Sequence, residues 1–312
     1  MRVLVTGGAG FIGANLVRRL LDDGHQAVAI DDLSTGFEEN LAGLDVDFHR
    51  GSILNADALA SACRGADAVV HLAAIPSVPR SAVAPLPSHE ANATGTLQVL
   101  QAARSVGAHV TVASSSSVYG ANPQLPKIES MVTRPRSPYA VSKLASESYA
   151  IAWQMTYGLP TIAFRFFNVY GPLQAPGHDY AAVIPAFVDA ALRGKAVTIH
   201  GDGMQTRDFT YVDSVTDILA SAATGSVTSD APVNLAFGSR RSLIDVVGEL
   251  EAILDRPIAR AHVEPRVGDV RDSQADNTRL LELFPNATPA RFADGLRKTV
   301  DWMIDMPHET SA

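Results

Sequence analysis

Residues 2–13 read "RVLVTGGAGFIG", and this stretch decides the fold. "RVLVT" (2–6) is a short apolar run suited to a buried parallel strand. Phe11, Ile12, Leu16, Val17, Leu20 and Leu21 recur at helical spacing over 11–23. Between the two lies a glycine loop, Gly7-x-x-Gly10-x-x-Gly13. Glycine lets the chain turn tightly there. It also lets the backbone approach a pyrophosphate, which is drawn to the positive end of the next helix. Strand, glycine loop and helix in that order make a dinucleotide site the expectation, in preference to a plain turn.

Outward from this unit the pattern repeats. "QAVAI" (26–30), "VDFH" (46–49), "ADAVVHLA" (66–73), "HVTVA" (109–113) and "TIAFRF" (161–166) read as strands. Helices are predicted over 55–63, 89–106 and about 138–156. Strands alternating with helices predict an α/β fold with a doubly wound parallel sheet, the Rossmann type. After residue 170 the pattern loosens at Pro172, Pro176 and Gly177. A helix (180–193), a strand (196–200), a helix (213–224), a strand (233–237) and helices near 242–254 and 290–304 follow. We expect a cofactor-binding domain over 1–170. A smaller α/β substrate lobe should occupy most of 171–312, with the chain crossing back around 205–237.

The chain has 312 residues, 46% hydrophobic and 19% charged, enough for a large core. A net charge of −8 argues against nucleic acid as a partner. No apolar run approaches the roughly 20 residues of a membrane span. The first strand begins almost at once, leaving no room for a signal peptide, so a cytoplasmic protein is expected. Cys63 is the one cysteine. It sits in an amphipathic stretch and reads as a buried structural thiol. His71 ends a strand without metal-site spacing around it, and no metal is expected.

Asp31 and Asp32 follow the second strand, about twenty residues after the glycine loop. A carboxylate there accepts hydrogen bonds from the adenosine ribose and repels a 2′-phosphate. No arginine stands at that strand end, which favours NAD over NADP. Further on, "ASSSSVYG" (113–120) places four serines at the end of the fifth strand, where ligands of open parallel sheets bind. In "PYAVSK", Tyr139 and Lys143 are four apart near a helix start and share a face. Oxidising a secondary alcohol requires a base for the hydroxyl proton. A phenol, with a pKa of about 10, is a poor base unless a nearby ammonium favours the phenolate. A serine hydroxyl can hold the same alcohol oxygen.

"TGGAGFIG", "HLAA", "SSSSVYG", "SPYAVSK", "RFFNVYGP" and "RVGDVRDS" together resemble the extended short-chain dehydrogenase/reductase family. Within it the chain is similar to NAD-dependent nucleotide-sugar 4-epimerases acting on UDP-glucose or UDP-N-acetylglucosamine. The resemblance implies that Tyr139 is the base, Lys143 its helper and ribose ligand, and Ser115 the catalytic serine. Ser116 and Ser117 would line the site or hold the turn. It implies cofactor contacts from Gly7, Gly10, Phe11, Ile12, Gly13, Asp31 and Asp32. Leu72, Ala73 and Ala74 would pass under the pyrophosphate, Asn92 would fix the helix beside the ribose, and Phe166 would lie near the nicotinamide. Where the family has Asp-Ile for adenine, this chain has Ser52 and Ile53. Dehydratases carry an Asp-Glu pair after the serine, and decarboxylases a glutamate. Here both positions are serines, which argues against elimination.

For the substrate, the resemblance implies that Asn168, Arg207, Arg266 and Asp269 hold the nucleotide and diphosphate. Two guanidinium forks suit phosphate oxygens. Val183, Thr198 and His200 match positions around uracil. Ser273 matches the position that sets room at sugar carbon 2, and "GHDYAAVIP" (177–185) resembles the N-acetylhexosamine branch. A UDP-uronic acid 4-epimerase, a 4-ketoreductase and a non-catalytic NAD-sensing protein are the rival readings. A homodimer through the two long helices is expected.

Overall fold

The computed structural model describes residues 1–176, 182–264 and 271–306. Six strands of the main sheet are β1 (Arg2–Thr6), β2 (Gln26–Asp31), β3 (Asp47–Arg50), β4 (Ala68–His71), β5 (His109–Ser115) and β6 (Thr161–Phe166). With the Val233–Leu235 strand they form a seven-stranded parallel sheet, ordered 233–235, β6, β5, β4, β1, β2, β3. The strands read as apolar runs because both faces of the sheet are covered. Val3, Val5, Ile162 and Phe164 pack beneath the Phe11–Asp22 and Val212–Thr224 helices. Leu4, Val69, Val110 and Val112 pack beneath the Ala56–Ala62, Gly95–Val106 and Pro138–Tyr157 helices. The strand order reverses between β1 and β4. That leaves a crevice at their carboxyl ends.

A second core is built on Tyr170, Ile184, Phe187, Val197, Ile199, Phe209, Val246, Leu250, Leu296 and Val300. Its parallel strand pair joins Val197–His200 to Arg260–Val263. From this lobe the chain returns to the large sheet through the Val212–Thr224 helix and the Val233–Leu235 strand. It returns again at the Thr278–Leu283 helix, whose Leu280 joins the first core along with Phe284. The alternation pattern does not show this second return, because the helix has only 6 residues. Two more short helices, Val78–Val83 and Pro85–His89, precede a wide π-type turn over Glu90–Thr94. They too lie below the length at which periodicity speaks.

Candidate active site

The cofactor cleft starts from the glycines. Gly7 has φ +70°, and a Cβ there would stand 2.8 Å from the Ala73 nitrogen. A Cβ on Gly13 would overlap the Gly7 carbonyl. The glycine loop thus lies directly against Leu72 and Ala73. The Leu72 N–H donates to the Thr6 carbonyl (3.1 Å) and the Ala73 N–H to Thr6 Oγ1 (3.2 Å). Gly10 begins the Phe11–Asp22 helix with no side chain capping it. The first-turn N–H groups of Phe11, Ile12 and Gly13 therefore face the cleft as an anion site, which fits a dinucleotide pyrophosphate. Ala74 follows on the same loop. Its neighbour Ile75 is held by Asn92, whose Oδ1 accepts the Ile75 N–H at 2.8 Å. Asn92 also donates to Ser142 on the Pro138–Tyr157 helix (3.0 Å).

Asp31 ends β2 and is 9% exposed. Its two carboxylate oxygens accept the Ala9 N–H (3.0 Å) and the Leu33 N–H (2.8 Å). Burial raises its pKa despite those hydrogen bonds. Lone pairs remain for a ribose, and the carboxylate is also a brace for the glycine loop. Asp32 is exposed and accepts the Ser34 N–H (2.9 Å). Ser52 accepts the Leu54 N–H (3.2 Å). Ile53 is 7% exposed and wedged against Gly95, where a Cβ would come within 2.5 Å of it.

The residues expected to react lie about the ends of β5 and β6. Ser115 is the last residue of β5 and pairs in register with Phe166. Its Oγ accepts the Ser117 N–H (3.2 Å), starting the Ser116–Tyr119 turn. The Tyr139 phenol is buried near the Ser115 hydroxyl. Burial pushes that phenol above its ordinary pKa, and the neighbouring Ser115 hydroxyl acts the other way. Lys143, 5% exposed, donates Nζ to the Ala113 carbonyl at 2.8 Å. Burial lowers its pKa to about 8. Ser116 is half-buried on the same turn. Ser117 Oγ is buried without a protein partner.

The sequence reading missed what braces this trio. Glu147 stands one further turn along the face of Tyr139 and Lys143. It accepts from Ser114 Oγ (2.7 Å) and pairs through both oxygens with Arg165 (3.0 and 2.7 Å). Both members of the ion pair are 4% exposed. The i, i+4, i+8 spacing was visible. Arg165 on β6 was not linkable to it without the fold. His71 is 3% exposed and sits between Thr6 (2.8 Å) and Thr96 (3.1 Å). Desolvation, with the nearby Lys143 charge, pushes its pKa down to about 3. It is a neutral spacer between the two threonines. Among the described residues no cluster could hold a metal. Cys63 is buried, and desolvation raises its pKa to about 11.

On the other wall, Asn168 pairs in register with Phe209, and its N–H donates to the Asp208 carbonyl (3.1 Å). Arg207 pairs in register with Arg241 and donates to the Arg271 carbonyl (3.1 Å). The Ser273 N–H donates to the Thr206 carbonyl (3.1 Å). Asn168, Arg207 and Ser273 are thereby joined through one short segment, 206–208. At its end Asp208 is fully buried. It accepts from Ser239 and from the Ala275 N–H, and burial raises its pKa to about 6. Val183 starts the Val183–Leu192 helix and is half-buried. Thr198 is exposed on its strand. His200 donates Nδ1 to the Glu264 carbonyl (3.0 Å). Arg266, Asp269 and the first half of the 177–185 stretch lie outside the described residues.

Residues 3–236 match the NAD dependent epimerase/dehydratase family. The UDP-glucose 4-epimerase of Mycolicibacterium smegmatis is 38% identical over 309 residues, spanning 97% of this chain and 98% of its own. A UDP-N-acetylglucosamine 4-epimerase from Methanobrevibacter ruminantium, solved with UDP-N-acetylmuramic acid, superposes with a TM-score of 0.92 at 36% identity, covering 97% of this chain and 98% of that one. The UDP-glucose 4-epimerase of Thermus thermophilus, solved with NAD, gives 0.89 at 32% identity over 98% and 99% of the two chains. A match of this extent, on a sheet whose crevice is shaped for a dinucleotide, places the chain: it belongs to the NAD dependent epimerase/dehydratase family.

Proposed function

We propose that this protein epimerises carbon 4 of a UDP-hexose or UDP-N-acetylhexosamine through a transient 4-keto sugar. The observation that carries the reading is the buried Tyr139 phenol near Ser115, with the buried Lys143 tied to the strand that ends in Ser115 and serines, not carboxylates, at 116 and 117. Bound NAD supplies the hydride acceptor and donor. Gly7, Gly10, Phe11, Ile12, Gly13 and Leu72–Ala74 would hold its pyrophosphate. Asp31, Asp32, Ser52 and Ile53 would hold the adenosine, and Asn92, Phe166, Tyr139 and Lys143 the nicotinamide end.

Tyr139 removes the C4 hydroxyl proton as the carbon is oxidised. Ser115 holds that oxygen, and the Lys143 ammonium favours the phenolate. Once the ketone has turned over and C4 is reduced from its opposite face, Tyr139 returns the proton to the C4 oxygen. Elimination of water would need a further acid and base, which Ser116 and Ser117 do not provide. Asn168, Arg207, Arg266 and Asp269 would fix the nucleotide diphosphate. Val183, Thr198 and His200 would surround the base, and Ser273 would leave space at carbon 2.

We divide the chain into a cofactor domain, 1–170, and a substrate lobe drawn from 171–312, which fits the two separate cores. A homodimer through the Gly95–Val106 and Pro138–Tyr157 helices accounts for the exposure of Val106, Val141, Met155 and Tyr157. No helix among the described residues is long and apolar enough to cross a membrane.

The test is to incubate the purified protein with UDP-glucose, UDP-galactose, their 2-acetamido forms and UDP-glucuronate, with no added cofactor. Interconversion of C4 epimers supports the reading. Release of water or carbon dioxide, or a need for added reduced cofactor, overturns it.

A further inference from the structure

The first turn of the Pro138–Tyr157 helix contains one donor that is answered from far away in the chain. A helix leaves its first N–H groups without partners inside the helix. Pro138 has no N–H. The Ala140 N–H goes to Ser137 Oγ (3.1 Å) and the Val141 N–H to the Ser137 carbonyl (3.0 Å), both next door in sequence. The Tyr139 N–H instead donates to Ser81 Oγ at 3.1 Å, across 58 residues. Ser81 is 0% exposed. Its own proton goes to the Val78 carbonyl at 2.7 Å. With that proton committed, the oxygen can only accept, and its lone pair is aimed at Tyr139.

Ser81 is itself held in place. The Ser77 hydroxyl caps its short helix by accepting the Arg80 N–H (3.1 Å), and the Ser81 N–H donates to the Ser77 carbonyl (3.0 Å). Ile75, just before it, is clamped by Asn92. The segment continues from β4 through Ala73, which lies against the glycine loop. A rigid run of about eight residues thus joins the loop beside the cofactor cleft to the backbone nitrogen of the proposed base.

We propose that Ser81 is a positioning residue for Tyr139: its hydroxyl fixes the backbone from which the phenol projects toward Ser115, and couples that phenol to the loop after β4. The proposal rests on the reading of Tyr139 as the base. Sub-ångström placement of a reacting group matters, since an error of about 1 Å can cost about a hundredfold in rate. Among the described residues the Ser81 hydroxyl bonds the Tyr139 N–H and the Val78 carbonyl, so its effect should fall on turnover rather than on KM.

The experiment compares wild type with Ser81→Ala, Ser81→Thr and Tyr139→Phe, each as the full chain with its bound cofactor. Three readouts are taken: steady-state kcat and KM for the UDP-sugar, the single-turnover rate constant for cofactor reduction, and hydrogen exchange at the Tyr139 amide. Ser81→Ala should lower kcat and the reduction rate constant by about tenfold or more, with KM within about twofold. Its Tyr139 amide should exchange faster, with the Lys143 amide unchanged. Ser81→Thr keeps the hydroxyl and should recover most of the rate. A merely structural role would lower the folded fraction and leave the single-turnover rate constant where it was. That result, or a rate in Ser81→Ala equal to wild type, overturns the proposal. If Tyr139→Phe itself turns over normally, the base assignment fails instead, and the two failures are separate outcomes.

Discussion

Lys143 Nζ lies 2.8 Å from the carbonyl oxygen of Ala113, two residues before Ser115 on the same strand. That contact ties the ammonium to β5, the strand that ends in Ser115. Two elements far apart in sequence meet there: a strand end and the first two turns of a helix. The arrangement lets a cation favour the phenolate without being itself hydrogen-bonded to a carboxylate.

Removing the phenol should therefore remove the chemistry and little else. Tyr139→Phe is expected to keep the fold and the bound cofactor but lose about a thousandfold in turnover. Steady-state kinetics and the absorbance of bound cofactor check both halves. Near-normal activity in the variant would take Tyr139 out of the mechanism.

Cofactor choice should follow Asp31. A 2′-phosphate would meet a carboxylate already fixed by the Ala9 and Leu33 N–H groups, so it could not swing away. Wild type should prefer NAD over NADP by at least about tenfold, and Asp31→Asn should narrow the gap. Calorimetry on cofactor-free protein measures it. Equal affinities in wild type would contradict the assignment.

Substrate size should follow Ser273. It lies beside Thr206 and is half-buried. Ser273→Tyr is expected to lower turnover of UDP-N-acetylglucosamine by about a hundredfold while UDP-glucose turnover largely survives. The ratio of the two kcat/KM values is the readout. An unchanged ratio means that Ser273 is not at the pocket wall.

Acid stability should follow His71. The Thr96 hydroxyl donates to the Asn92 carbonyl, so toward His71 it can only accept, which assigns the proton to Nε2. Nδ1 then accepts from Thr6, and a doubly protonated ring has no place. The unfolded chain takes up a proton near pH 6.5, which the folded protein refuses until about pH 3. Stability is whole above pH 6.5 and falls by roughly 1.4 kcal/mol per pH unit as pH drops through that window. His71→Gln keeps a donor and an acceptor but does not titrate. Its urea midpoint should fall less than that of wild type between neutral and mildly acid pH. Parallel losses in the two proteins would show that other groups govern the acid limb.

Much of this protein is written locally. The strand, glycine loop and helix of residues 2–22 follow from apolar periodicity and from the space that only glycine leaves, as the would-be Cβ contacts at Gly7 and Gly13 show. The Ser115, Tyr139 and Lys143 types and spacing were legible because each belongs to a short run with a chemical purpose. The short helices at Val78–Val83 and Thr278–Leu283 were not legible, because one or two turns carry too little periodicity.

Tertiary structure alone decided which distant residues brace the site. Ser81 and Tyr139, Ser114 and Glu147, Glu147 and Arg165, and Asp208 and Ala275 are pairs whose members lie 18 to 67 residues apart. Nothing in the composition of either partner marks the other. A buried hydroxyl or carboxylate must find a partner when water is excluded, but which one it finds depends on how the sheet brings strand ends and helix faces together. Sequence thus determined the groups proposed to react, and packing determined the polar atoms that hold them in place.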